Sequence, residues 1–563
     1  MRLAYNPAGQ VTSYTDCSRK TTHYRYDAMG NLVEVTNALG QSIRYDYSPL
    51  DRLVAAHYAD NTTETYQYDA LGRLVAHTDT AGQTTQYDLR VDGLPVKRIN
   101  PLGHSLQYEY DSAQRLAKLI NENGAAYAFS YDQRDRLVEE TGFDGKRTDY
   151  QYNAASELLN KTDAPGLPEA ITTHYQRDAA GRVLQKRIGK TATQYQYTAL
   201  GQLAAVKNPF SHAQLTYDAV GSLTQEASTS HGVATTLAHS YDSLGNRIGT
   251  VLPDGRTINH LYYGSGHLHQ INVDGQVISD FERDDLHRER QRSQGRLDSM
   301  SDYDSLGRPI SQRVAQNNSY NTTTNTNPAG SQIAGVAQTP SLLERRYRYD
   351  QLGQLTELAE KYHSRSGRPE HSIQYSYDPL GRLAQAGNER FAFDPAHNLI
   401  NLDGSADSSS SQANKVPGRY DNNRLTVYQD KRFSYDAHGN LILKKTGAHT
   451  TLELKWDTEH QLVHSRSTSG VNTKSPIVQD TRYAYDAFGR RISKTDCFGT
   501  THFAWDGNRL LSEQRGNRSV LYLYEPASFA PLAQLETAQL LLPHHQDHRT
   551  KQLINQFQQL FQA

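Results

Sequence analysis

YRYDAMGNLVEVTNALGQSI, residues 24–43, is the stretch on which the fold turns. Tyr24 and Tyr26 stand two apart, and period two places both rings on one face of a strand. Asp27 follows, a residue whose carboxylate can accept from the backbone two residues on and so open a turn. Gly30, four after the second Tyr, supplies a left-handed backbone for a short hairpin loop at no steric cost. Leu32 begins a return strand, and Gly40 marks the turn back. Two strands of about six residues and two tight turns fill such a unit, so it reads as one β-hairpin.

Outward from this stretch the pattern repeats. Counting from Tyr5, the same slot recurs every 21 residues at 26, 47, 68, 89, 110, 131 and 152, with Tyr at each except Leu89. The phase then loosens but continues to Tyr524. The residues on which the reading rests are Tyr26, Asp27 and Gly30; Tyr68, Asp69 and Gly72; Tyr110 and Asp111; Tyr131 and Asp132; Tyr377, Asp378 and Gly381; Tyr435, Asp436 and Gly439; and Tyr485, Asp486 and Gly489. Their expected role is structural. Where Asp51, Gln114, Asp135 or Ser156 replaces the turn Gly, a wider turn is expected, because Gln in particular tolerates left-handed geometry poorly. A lone hairpin is marginal in water, so the hairpins should stack edge to edge into one long antiparallel sheet that twists and coils, an all-β fold.

Composition narrows the function. With 59 Lys plus Arg against 61 Asp plus Glu, net charge −2, there is no field for gripping nucleic acid or an anionic membrane. Tyr supplies 37 of the aromatic residues and hydrophobic residues make up only 36%, so a single thick core is not expected. Two cysteines exclude a disulfide-dense scaffold; Cys17 and Cys497, each twelve residues after an anchor Tyr, are expected to be reduced, half-buried thiols. No apolar run approaches the length of a membrane span, and MRLAYNPAGQ shows no signal peptide, which points to a chain made in the cytoplasm.

Residues 1–532 carry the hairpin pattern, interrupted by polar stretches at 316–341, 403–418 and 464–475 that read as inserted loops. Residues 533–563 lack it, and spacing of Leu553, Ile554, Phe557, Leu560 and Phe561 predicts a helix from about 549. Chemistry is sparse. PHHQDH at 543–548 reads as an exposed loop rather than a zinc site, GSG at 264–266 lacks the rest of a phosphate motif, and 283–296 mixes charge signs. No catalytic residue, cofactor or metal is expected. Tyr–Asp pairs could stack on and bond to sugars, so a cell-surface carbohydrate-binding or adhesion module is the competing reading, but a motif at fixed phase throughout is a building device.

The run from Val416 onward, VPGRYDNNRLTVYQDKRFSYDAHGNLILKK, then WDTEHQLV, YAYDAFGRRISKT, FAWDGNRLLSEQ and YLYEPASFAPLAQ, together with the repeats above, resembles the Rhs (YD-repeat) family over about 1–532. The match is to the core of bacterial Rhs polymorphic toxins, and it is similar to the C component of insecticidal Tc toxins and to teneurins. The resemblance implies a hollow β-shell that encapsulates a toxic effector polypeptide for type VI or related secretion and interbacterial competition, with that effector and secretion components as partners and a destination outside the producing cell. After Gln534 the text LETAQLLLPHHQDHRTKQLINQFQQLFQA departs from the family's cleavage block, and the start opens in mid-pattern. The expectation is a shell fragment truncated at both ends, to which self-cleavage and toxicity do not carry over.

Overall fold

The computed structural model describes residues 1–317, 341–363, 370–400, 419–421, 423–473, 475–526 and 528–538. All regular secondary structure among them is β. Strands adjacent in the chain pair antiparallel, as Arg2–Tyr5 does with Val11–Thr15, Val11–Thr15 with Thr21–Tyr26, and Thr21–Tyr26 with Leu32–Thr36. One sheet of 35 strands runs from Arg2–Tyr5 to Glu389–Arg390, and one of 12 strands from Arg419–Asp421 to Pro531–Ala538. Between them Ala392–Phe393 pairs with Leu399–Ile400.

Each unit follows from its residues. In Thr21–Tyr26 the two tyrosines are half-buried while His23 and Arg25 are exposed, the alternation that period two requires. The register slips by one residue at the anchor: Arg25 faces Glu34, but Tyr26 faces Leu32. The same bulge recurs at Tyr47, Tyr68, Tyr131 and Tyr152, adding twist at a fixed point of every repeat. The turn after Tyr26 is a three-residue loop. The Gly30 amide donates to the Asp27 carbonyl at 3.2 Å and the Asp27 amide to the Asn31 carbonyl at 3.0 Å, with Gly30 at φ +93°. The Asp27 carboxylate accepts the Met29 and Asn31 amides at 2.9 and 2.8 Å. The turn back is built alike, with Asn37 accepting the Leu39 and Gln41 amides.

The turns without Gly do not widen. Asp51, Gln114, Asp135 and Ser156 adopt φ between 56° and 64°, and each amide reaches the turn-opening carbonyl at 3.0–3.1 Å, as Gly does elsewhere. Side chains offset part of the left-handed cost: Asp51 accepts from Asn31 at 2.9 Å, Asp135 from Arg115 at 2.8 Å and Ser156 from Arg136 at 3.5 Å, each donor lying twenty residues earlier.

The chain divides into two compact units. The first comprises 1–107, 242–248 and 258–391; the second 108–241, 249–257 and 392–563. Burial is deepest at Ile271 and Phe281 in the first and at Val206, Val520 and Leu521 in the second. In each, an earlier arc of hairpins is joined to a later one.

Three further expectations need correction. Residues 464–469 belong to the strand Leu462–Ser469, which pairs with Ile477–Tyr485; the Ser-rich text lengthens a hairpin, since the backbone register from His464 opposite Arg482 to Ser469 opposite Ile477 needs no apolar side chains. Residues 533–538 lie in the strand Pro531–Ala538, where Leu535 packs opposite Leu521, so the hairpin pattern extends past 532. Cys17 and Cys497 are exposed rather than half-buried, both in turns at strand ends. Gln316 ends one strand and Ser341 starts the next. The rest of the 316–341 stretch, 403–418, the His-rich 543–548 and the helix expected from 549 lie outside the described residues.

Gly72→Val places a branched side chain at φ +74° with its Cβ 3.1 Å from Arg52 Nε, and should cost roughly 1–3 kcal/mol. Ser156→Gly, relieving the same geometry at φ +64°, should be neutral or stabilising by up to about 1 kcal/mol. Thermal unfolding of the two variants against the parent checks both signs.

Candidate functional site: an interlocked turn ladder and its rim

The anchor tyrosine does more than fill a strand face. Its hydroxyl donates across the repeat boundary to the carbonyl of the residue that starts the previous return strand: Tyr47 to Leu32 at 3.0 Å, Tyr68 to Leu53 at 2.9 Å, Tyr131 to Leu116 at 3.0 Å, Tyr152 to Leu137 at 2.8 Å, and later Tyr377 to Leu355, Tyr435 to Leu425 and Tyr485 to Leu462, each at 2.9 Å. Where the slot holds another residue, the donor is kept. The Trp456 and Trp505 indoles reach the Leu441 and Arg491 carbonyls at 2.8 and 2.9 Å, and the Arg177 and Arg283 guanidinium groups reach Leu158 and Leu268. The slot therefore selects a long side chain with a donor at its tip, not an aromatic ring as such.

A second residue completes the joint, one that the motif reading above leaves out. An arginine directly after the turn Gly slot grips the turn aspartate of its own repeat: Arg73 with Asp69, Arg115 with Asp111, Arg136 with Asp132, Arg382 with Asp378 and Arg490 with Asp486, all at 2.6–2.7 Å. The guanidinium then lies over the next anchor ring, Arg115 over Tyr131 at 4.8 Å and Arg136 over Tyr152 at 5.0 Å. It also donates to the next turn, from Arg115 to the Asp132 carbonyl and from Arg136 to the Asn153 carbonyl, both at 2.9 Å. Asp436 instead binds Asn440, which reaches on to His460 Nδ1. The signal was visible in GR, DR and QR pairs at constant phase. Arg73, Arg115 and Arg182, which binds Asp178 at 2.7 Å, hold Asp69, Asp111 and Asp178 below the usual carboxylate range, and Arg136 holds Asp132 at about 2.

Within each unit the turn-back rim of the earlier arc meets the anchor-turn rim of the later one. In the first unit Lys20 pairs with Asp285, Asp16 with His287 at 2.6 Å, and the Thr80 hydroxyl donates to the Gln351 carbonyl at 2.6 Å. In the second, Asn123 donates to Asp394 at 2.7 Å, Arg424 to Asp144 at 2.8 Å, and Lys186 pairs with Glu459 at 3.1 Å. The partners lie 264–280 residues apart where arginine makes the bond, and 271 apart at Asp16–His287, Thr80–Gln351 and Asn123–Asp394. The contact between Arg490 and Glu226 is the most enclosed of these pairs. The Arg490 side chain is 9% exposed and binds Glu226 at 2.6 Å and Asp486 at 2.7 Å.

This arrangement can hold, but it gathers no nucleophile with a base. It defines a wall protein: hairpins locked to their neighbours and, within each unit, arcs locked rim to rim. The teneurin YD-shell family model matches residues 51–504 and the RHS repeat model residues 5–42 and 30–63. The chain belongs to this Rhs/YD-repeat family. It is 34% identical over 404 residues to the double-stranded DNA deaminase toxin A of Burkholderia cenocepacia and 33% identical over 403 residues to the toxin protein Tse5 of Pseudomonas aeruginosa, covering 66% and 64% of this chain. It spans only about a quarter of those relatives, 25% and 28%. The fold is also that of a TcdB2–TccC3–Cdc42 complex (TM-score 0.57, 13% identity, 96% of this chain and 31% of that one) and of the Photorhabdus luminescens Tc holotoxin pore (TM-score 0.55, 14% identity, 95% and 29%). Among the described residues no helix is long and apolar enough to cross a membrane.

Two outcomes follow from this chemistry. Asp69, Asp111, Asp132 and Asp178 have folded-state pKa values below their free ones, so their contribution is complete above the free carboxylate range, about pH 4, and is lost as pH falls, for Asp132 toward about 2. Amide protection factors at these turns should fall across that interval, and Asp132→Asn should lower stability at pH 7 while blunting the local acid response. Arg490→Ala strands Glu226 and Asp486 without a counter-charge and should cost roughly 3–5 kcal/mol by denaturant unfolding, with Glu226→Gln in the same background recovering part of the loss.

Proposed function

We propose that this chain forms the wall of a container that encloses a polypeptide effector and holds it for delivery out of the producing cell. The observation that carries the reading is the rim-to-rim locking within each unit, joined to the Tyr–Arg–Asp ladder along the sheet. A sheet whose successive passes are fastened to one another is a barrier; a surface module needs only one pass. Membership of a shell family and the names of two toxin relatives support it. On this reading the deaminase activity named for one relative belongs to that protein, and the present chain contributes enclosure rather than catalysis. The anchor Tyr, turn Asp and turn Gly are wall-building residues. The partners are the enclosed effector and, by analogy with Tse5, a secretion apparatus serving competition between bacteria.

The test is protection. A protease-sensitive reporter polypeptide fused after Ala563 should be cleaved far more slowly in the assembled protein than when free, and scattering should show low density at the particle centre. Cleavage at the free rate would overturn the proposal. Saturable glycan binding lost on substitution of strand-face tyrosines would favour the adhesion reading instead.

A further inference from the structure

The first unit brings together three side chains that nothing in the ladder explains. Asp16 opens a turn-back loop of the first repeat; His267 starts the strand His267–Val273; His287 occupies the left-handed slot of the turn Asp284–Arg288 at φ +61°. Their ligand atoms all lie within 4.8 Å of one another. The Asp16 carboxylate divides its work: Oδ1 accepts the Lys20 amide at 2.8 Å, while Oδ2 faces His287 Nε2 at 2.6 Å. His287 Nδ1 is engaged by the Tyr263 hydroxyl at 3.0 Å. The His267 and His287 rings stack at 3.6 Å and 11°.

We propose that Asp16, His267 and His287 form a binding site for a divalent transition metal of the zinc class, which clasps the earlier arc to the later one. Several features converge on this. In other repeats a residue in the left-handed slot takes a hydrogen bond from the residue twenty before it, as Asp51 does from Asn31. Here the residue twenty before is His267, and two imidazoles replace that donor–acceptor pair. Two nitrogens and one carboxylate oxygen make a set suited to zinc, cobalt or nickel rather than calcium or magnesium. Donors of a tetrahedral zinc site lie roughly 3.4 Å apart, so rotation of an imidazole about its soft χ2 closes most of the gap. The Tyr263 hydroxyl is placed to accept a hydrogen bond from Nδ1–H, which leaves Nε2 as the ligand atom. Binding would displace the proton shared between His287 and Asp16 and release it to solvent.

The surroundings favour a bound group. Ser18 Oγ, in the same turn as Asp16, is buried without a hydrogen-bond partner. It lies beside Gly264, where a Cβ would come within 2.5 Å of that oxygen and 3.6 Å of His267. A water on the metal's fourth position would satisfy such a hydroxyl. The neighbouring charges already have partners: Lys20 with Asp285, Asp284 with Arg288, and Arg283 with the Leu268 and His287 carbonyls. Sequence reading expects no metal because the donors are scattered, Asp16 and His287 lying 271 residues apart.

The experiment titrates cobalt(II) into the metal-stripped full chain carrying His544→Ala, His545→Ala and His548→Ala, which removes the other histidine cluster. One equivalent should bind with the visible absorption of tetrahedral cobalt, zinc should displace it, and zinc should raise the thermal midpoint. His267→Gln and Asp16→Asn should each weaken binding by about tenfold or more and abolish the zinc-dependent shift, with circular dichroism unchanged. His23→Gln, at an exposed strand position, should behave as the parent. Absence of the cobalt band, or equal binding by the parent and either site variant, would overturn the assignment. If one site variant fails to fold, the other decides.

Discussion

The joint on which everything else depends is a single guanidinium. Arg115 binds the aspartate of its own turn, covers the next anchor ring and donates to the next turn's carbonyl, while that ring's hydroxyl returns a bond to the carbonyl of Leu116. Four contacts thus tie two hairpins at their ends, where a sheet would otherwise fray. The planar fork of arginine matches this task because it can bind a carboxylate edge-on while offering its face to a ring. None of these contacts is strong alone. They matter because the same joint recurs along the chain, so each hairpin is held in register by the one before it and the one after.

Periodicity exposes most of the architecture to a reader of the sequence. Period two in Tyr24/Tyr26, the Asp27–Gly30 turn and the 21-residue step together dictate hairpins, and the strands follow that register. What escaped was whatever depends on contacts between repeats. The ladder arginine stayed outside the motif because its bond to its own turn's aspartate is only part of its role; the ring and the carbonyl it also meets lie in the following repeat. Ser156 and Gln114 looked like misfits because the penalty for a left-handed backbone was weighed alone, without the neighbour's donor that accompanies several such slots. Polar composition misled at 464–469, where a ladder of backbone bonds needs no apolar side chains.

The rim contacts were illegible for a stricter reason. Partners such as Asn123 and Asp394 or Glu226 and Arg490 share no local signal. Their pairing follows only from how far a twisted sheet travels before its later hairpins meet its earlier ones. That distance sums small twists over about a dozen repeats, including the bulge set at every anchor, and no single residue carries it.

Polar rims also reconcile two demands on a wall. Apolar seams between passes would bind any exposed strand edge and invite aggregation, whereas Asp, Asn, Lys and Arg pairs at loop tips are satisfied by water until the correct partner arrives. Their individual worth at an exposed surface is small, so the seam relies on number and on the few enclosed pairs such as Arg490 with Glu226, where a wrong partner would leave a desolvated charge. Specific pairing of the arcs within each unit therefore comes from what mispairing costs. The hairpins supply cohesion along the sheet, and the charged tips decide which pass lies against which.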